Sequence, residues 1–179
     1  MASVLVPLAQ GCEELEAITV IDLLRRAGVE VTSAGLDEKQ VTASRGVVLV
    51  PDTDLESALK KHYDMIVLPG GLPGADHLDN DDRLRERIID MAQNGKYVAA
   101  ICAAPKVLAS TGLLDDKKAT CYPGVLDALG FTSETTAVVE DENIITSRGP
   151  GTAMDFALAL IEKLVGKNKR GEVEKGLVR

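Results

Sequence analysis

The segment Tyr97-Val98-Ala99-Ala100-Ile101-Cys102-Ala103-Ala104-Pro105-Lys106-Val107-Leu108 decides the fold. Five apolar residues, too few for a surface helix, read as a buried strand of a parallel sheet. The chain then turns sharply through Cys102, and Pro105 suits the first turn of a following helix. A second apolar run, Met65-Ile66-Val67-Leu68, likewise reads as a buried strand. It empties into the glycine loop Pro69-Gly70-Gly71-Leu72-Pro73-Gly74.

Working outward, strand-like runs and helical spacings alternate along the chain, the pattern of βα units around a mostly parallel sheet. Ser3–Ala9 reads as the first strand and residues 13–27 as a helix stopped by Gly28, with Leu15, Ile18, Ile21 and Leu23 or Leu24 expected on its inner side. Further strands are expected at 29–34, 47–51, 119–122 and within 137–145. Helices are expected at 55–61, 82–93, 106–110 and 153–165, and the polar tail from Gly166 to Arg179 is read as a short helix. No repeat or linker interrupts the pattern, so residues 1–179 are expected to form a single domain.

Composition narrows the function. The 28 acidic and 20 basic residues leave a formal net charge of −8, which repels phosphate backbones and anionic headgroups, so neither nucleic acid nor membrane is an expected partner. Met1–Gln10 carry no basic leader, and no apolar run approaches the roughly 18 residues of a membrane span. Three cysteines, Cys12, Cys102 and Cys121, show no metal-ligand spacing. They read as free thiols of a soluble, cytoplasmic protein, and neither a metal nor an organic cofactor is expected.

Cys102 lies where the carboxyl end of a parallel strand turns into a helix, the edge at which open α/β sheets place their ligands. A helix amino terminus beneath it would favour a thiolate and lower the thiol pKa. Ala103 and Ala104 are small enough for a crowded elbow. The alternative is a buried structural cysteine. Gly70 and Gly71 end at the same edge, where their amides could steady an oxyanion formed at Cys102. Glu13, Glu14 and Glu16 open the first helix, where acidic residues are favoured by the dipole alone. Glu16, three residues from Glu13 and next to Leu15, can turn toward the sheet edge, and a carboxyl half-buried beside a thiolate would have a raised pKa. Neither His62 nor His77 is placed as a catalytic base, which argues against a papain-type protease.

Four motifs in this order, Gly11-Cys12-Glu13-Glu14-Leu15-Glu16, Val67-Leu68-Pro69-Gly70-Gly71, Ala99-Ala100-Ile101-Cys102-Ala103-Ala104-Pro105 and Thr146-Ser147-Arg148-Gly149-Pro150-Gly151-Thr152, closely resemble the ThiJ/PfpI superfamily in its DJ-1 branch. The resemblance spans nearly the whole chain. It implies a flavodoxin-like three-layer sandwich that forms homodimers, with Cys102 matching the reactive cysteine, Glu16 its protonated partner, and Gly70 and Gly71 the oxyanion amides, with Ala103 beside them. Relatives of this kind are described as glutathione-independent glyoxalases acting on methylglyoxal, as deglycases, and as oxidative-stress sensors or chaperones. A small aldehyde is therefore the expected substrate, and oxidation of Cys102 the alternative function. Many members carry a histidine where this chain has Tyr122. A phenol is no base near neutral pH, so Tyr122 is expected to be at most a hydrogen-bond donor or a pocket wall. Arg45 and Arg148, each in a turn, would brace loops near the site or across a two-fold interface, or simply face solvent.

Overall fold

The computed structural model describes every residue except Glu38. Its strands are β1 (Ser3–Leu8), β2 (Glu30–Gly35), β3 (Val41–Thr42), β4 (Val48–Leu49), β5 (Thr53–Asp54), β6 (Met65–Leu68), β7 (Tyr97–Ile101), β8 (Val138–Asp141) and β9 (Ile144–Ser147). Its helices are α1 (Glu14–Arg26), α2 (Leu55–Ala58), α3 (Gly74–Asp79), α4 (Asp82–Gln93), α5 (Pro105–Ser110), α6 (Ala153–Val165) and α7 (Lys167–Gly176).

Seven strands form one sheet in the order β5-β2-β1-β6-β7-β9-β8, parallel except for β8, which runs antiparallel to β9. Strand alternation divides the core. Val4, Val6, Met65, Val67, Ala99 and Ile101 face α1 and α6, where Val20, Leu24, Phe156 and Leu160 cover them. Leu5, Ile66, Leu68, Val98 and Ala100 face the other side, under Leu78, Leu84, Ile88, Val107 and Leu108 of α3, α4 and α5. A sheet buried on both faces needs apolar residues at every position, which is why β6 and β7 read as unbroken runs. The result is the flavodoxin-like three-layer α/β sandwich.

Several elements differ from expectation. Leu15 and Ile18 are 50% and 46% exposed, and the buried stripe of α1 is instead Glu16, Ala17, Val20, Ile21, Leu23 and Leu24. Periodicity fixes the width of an apolar stripe but not which edge of it meets the sheet. Residues 119–122 form no strand: β8 occupies the place beside β9, and Thr120 makes a single bridge to Glu134. The expected strand at 47–51 shortens to β4, which pairs with β3 in a small sheet of its own. The glycine loop runs directly into α3, a helix with no sequence signal except its small residues.

Candidate active site

β1, β6 and β7 are neighbours, and the chain turns back across the sheet between β1 and β6. Crevices at such a reversal, beyond the carboxyl ends of the strands, are where open α/β sheets bind ligands. The segments leaving these three strands carry Glu16, Gly70 and Cys102 respectively.

Cys102 has φ +65°, in the left-handed region that a residue with a Cβ enters at a cost of about 1 kcal/mol. Backbone bonds hold it there. Its amide donates to the Ser147 carbonyl at 3.0 Å, and its carbonyl accepts from the Tyr122 amide at 2.8 Å. Ser147, on the edge-side neighbour of β7, is a supporting residue that sequence reasoning did not single out; only its place in a motif hinted at it. The turn presents the sulfur at the sheet edge while keeping the residue largely buried.

Glu16 is 0% exposed, so its carboxyl needs partners. The Gly70 amide donates to Glu16 Oε2 at 2.8 Å. Oε1 is buried without a hydrogen-bond partner, and the Cys102 thiol is close enough for the two groups to shift one another's titration. A Cβ on Gly70 would stand 2.6 Å from the Cys102 Cβ and 2.8 Å from Glu16 Oε2. Only glycine fits where three strand ends converge so closely.

The Gly70 amide is thereby committed to Glu16 and is not free for an oxyanion, which corrects the expected pairing of Gly70 with Gly71. The backbone amides that favour a thiolate at Cys102 are those of Gly71 and Ala103. Gly71 has φ +86°, and a side chain there would collide with the backbone of Cys12 and Glu13. The glycine loop and the start of α1 are thus locked together, further tied by the Glu13 amide donating to the Gly70 carbonyl at 2.9 Å.

Burial raises the Glu16 carboxyl to about 7, outweighing the Gly70 amide and the thiol, which stabilise its charge. The Cys102 thiol is also raised, first by burial and then by the adjacent carboxylate, against the pull of the Gly71 and Ala103 amides. The expected lowering by a helix amino terminus is absent. α5 begins three residues later and has only six residues, so its dipole is short and distant. Sulfur and carboxyl form one coupled unit, in which holding a single shared proton is less costly than two adjacent anions.

The other sequence candidates fall outside this unit. Tyr122 is 52% exposed, bound to Cys102 through its backbone, with its ring beside Gly149. The Arg148 guanidinium donates to the Thr135 carbonyl at 2.8 Å and braces that loop, while exposed Arg45 reaches the Ser44 carbonyl. Burial pushes the Cys12 thiol up to about 12, Cys121 is buried, and His62 and His77 are exposed. Among the described residues, no three His, Cys, Asp or Glu side chains converge as metal ligands, and no helix is long and apolar enough to cross a membrane.

A doubly wound sheet with a strained cysteine at the end of a central strand and a buried glutamate against its sulfur defines the cysteine-elbow class of flavodoxin-like proteins. Family comparison agrees: residues 2–163 match the DJ-1/PfpI family model. The chain belongs to the DJ-1/PfpI family. It is 45% identical over 181 residues to Protein dj-1beta of Drosophila melanogaster, covering 98% of this chain and 96% of that one. The crystal structure of that protein superposes with a TM-score of 0.94 over 99% of this chain and 97% of its own. Toxoplasma gondii DJ-1, oxidized, superposes at 0.95 with 39% identity, covering 99% and 98%. A Caenorhabditis elegans relative, 35% identical over 98% of this chain and 95% of that one, is named glutathione-independent glyoxalase DJR-1.2.

Proposed function

We propose that the protein is a glutathione-independent glyoxalase that converts methylglyoxal to lactate and glyoxal to glycolate. The observation that carries this reading is the buried Glu16 carboxyl, with one oxygen held by Gly70 and the other unpartnered beside the Cys102 thiol. Glu16 takes the thiol proton as sulfur adds to the aldehyde carbon, forming the C–S bond and an oxyanion that the Gly71 and Ala103 amides steady. The carboxylic acid returns the proton to that oxygen, giving a neutral hemithioacetal. The carboxylate then removes the C–H proton from the former aldehyde carbon and delivers it to the neighbouring carbonyl carbon through an enediol. A thioester of the hydroxy acid results. Water hydrolyses it, releasing the acid and restoring the thiol. One carbon is oxidised as its neighbour is reduced, so no external oxidant is consumed.

The name of the Caenorhabditis elegans relative supports this reading. Deglycation would begin with the same attack on an early glycation adduct. The second reading is an oxidative-stress sensor, in which two equivalents of peroxide convert Cys102 to a sulfinate; the amides around the sulfur and the unpartnered Glu16 oxygen favour it. A homodimer is part of the proposal. Exposed Leu15 and Ile18 on α1, with Val47, Val48 and Val50 around β4, present apolar surface suited to a two-fold contact. Free thiols at Cys12, Cys102 and Cys121 suit a cytoplasmic setting. Freshly reduced protein consuming methylglyoxal without glutathione, with C102S inert, supports the enzyme. Failure of the wild type to turn over while it accumulates sulfinate supports the sensor instead.

A further inference from the structure

We infer that Thr146 is a positioning residue whose buried hydroxyl docks residues 119–122 against β9 and thereby holds the left-handed turn at Cys102. The inference rests on Cys102 being the reactive thiol, which the glyoxalase and sensor readings share.

Thr146 is fully buried in β9, paired through its backbone with Ala100 of β7 and Val139 of β8. Strand alternation puts its side chain on the same face as Ile144, in the apolar layer that also holds Ala119, Cys121 and Leu126. A hydroxyl in such surroundings needs a partner. It accepts from the Thr120 amide at 2.9 Å.

Residues 119–122 form no strand of the sheet. Ala119 and Thr120 are tied to Glu134, whose amide donates to the Ala119 carbonyl at 2.8 Å and whose carbonyl accepts from Thr120 Oγ1 at 2.9 Å, but Glu134 lies in a loop. Two residues beyond Thr120, the Tyr122 amide donates to the Cys102 carbonyl at 2.8 Å, while the Cys102 amide donates to the carbonyl of Ser147, next to Thr146, at 3.0 Å. β9 therefore holds Cys102 at both its amide and its carbonyl: directly through the Ser147 backbone, and through the Thr146 side chain by way of residues 120–122. A cysteine at φ +65° stays there only while such bonds outweigh its strain. Without the Thr146 hydroxyl the buried Thr120 amide loses its acceptor, the segment shifts, and the Cys102 carbonyl loses its donor. The sulfur then moves relative to Glu16 and to the Gly71 and Ala103 amides, the groups that act on it, with Glu13 acting on Glu16 in turn.

The test compares wild type with Thr146→Val, which keeps the shape and removes the hydroxyl, and with Thr146→Ser, which keeps the hydroxyl. Cys102 is alkylated with iodoacetamide and located by peptide mass: sulfur bonds the methylene carbon, iodide leaves, and the thiol proton passes to solvent. In wild type the rate should rise through the titration of the sulfur–carboxyl unit near 7. In Thr146→Val, with the sulfur released from Glu16, it should rise only through the ordinary thiol range, so that at pH 7.5 it is about tenfold slower, whereas Thr146→Ser should stay within about twofold of wild type. kcat for methylglyoxal should fall in parallel with KM unchanged, because Thr146 is buried beneath the turn and touches no substrate. A folded Thr146→Val with the wild-type alkylation profile overturns the inference, whatever its urea midpoint, as does a Thr146→Ser profile shifted like that of Thr146→Val. Should Thr146→Val not fold, Thr146→Cys, whose sulfur is a weak acceptor of nearly the same size, is read the same way. If the wild type turns over no aldehyde, the alkylation profiles still decide, and that failure bears on the glyoxalase reading alone.

Discussion

The amide of Gly70 donates to the buried carboxyl of Glu16 at 2.8 Å, at a point where a side chain on Gly70 would press on Cys102. One glycine therefore sets both the orientation of the Glu16 carboxyl and the space beside Cys102. Gly70→Ala would place a methyl group 2.6 Å from the Cys102 Cβ and 2.8 Å from the Ile101 carbonyl. Overpacking of this kind should cost about 1–3 kcal/mol, and displacing Glu16 should lower turnover on the order of 10²-fold. Urea unfolding and methylglyoxal kinetics on the same preparation check both.

Cys102→Ser should keep the fold and lose aldehyde turnover to below about 1% of wild type, since a serine hydroxyl beside a carboxyl that titrates near 7 stays protonated. Cys12→Ser and Cys121→Ser should remain active, because both thiols are buried and neither stands at the strand-to-helix elbow. Loss of activity in either would show that the wrong thiol has been assigned.

Stability should fall as pH rises from about 4.5 to about 7. The folded state holds the Glu16 proton more tightly than the unfolded chain, raising the carboxyl from 4.5 to about 7. The contribution is therefore fully present below 4.5 and is lost as pH passes through 7. The shift corresponds to about 3 kcal/mol. Glu16→Gln removes this dependence, so the difference in unfolding free energy between variant and wild type should grow across that window in favour of the variant. Urea titrations at pH 5 and pH 7.5 measure it.

The same titration predicts the activity profile. Below pH 7 the sulfur–carboxyl unit holds two protons and Glu16 cannot take the one on the thiol; above it, the unit holds one. kcat/KM for methylglyoxal should rise through an apparent pKa near 7. A flat profile from pH 5.5 to 8 would separate Glu16 from the proton transfer.

Sedimentation at micromolar concentration should show a dimer, and Ile18→Asp should give a folded monomer, since Ile18 is exposed on α1 and supports no core packing. A wild-type monomer would contradict the proposed two-fold contact.

What the sequence makes legible follows from local rules. Tyr97–Ile101 and Met65–Leu68 could only be buried strands, and Pro105 placed the next helix, so the elbow at Cys102 was readable from one segment. Glu16 was readable as a buried acid because it shares a helix edge with the apolar stripe. Leu15 and Ile18 face solvent although their spacing places them with the apolar stripe, because periodicity does not say which edge of a stripe meets the sheet. The commitment of the Gly70 amide to Glu16, and the dominance of burial over the short α5 dipole at Cys102, depend on distances across three strands that no local pattern encodes.

Glu16→Gln, compared with wild type as freshly reduced protein without glutathione, tests the central claim most directly. The amide side chain can accept from Gly70 and donate toward the sulfur but cannot carry a proton. Lactate formation from methylglyoxal should fall by roughly 10²-fold or more, while intact mass after mild peroxide still shows Cys102 reaching the sulfinate, proof that the site remains assembled. Wild-type turnover by Glu16→Gln would contradict the account and place the proton carrier elsewhere.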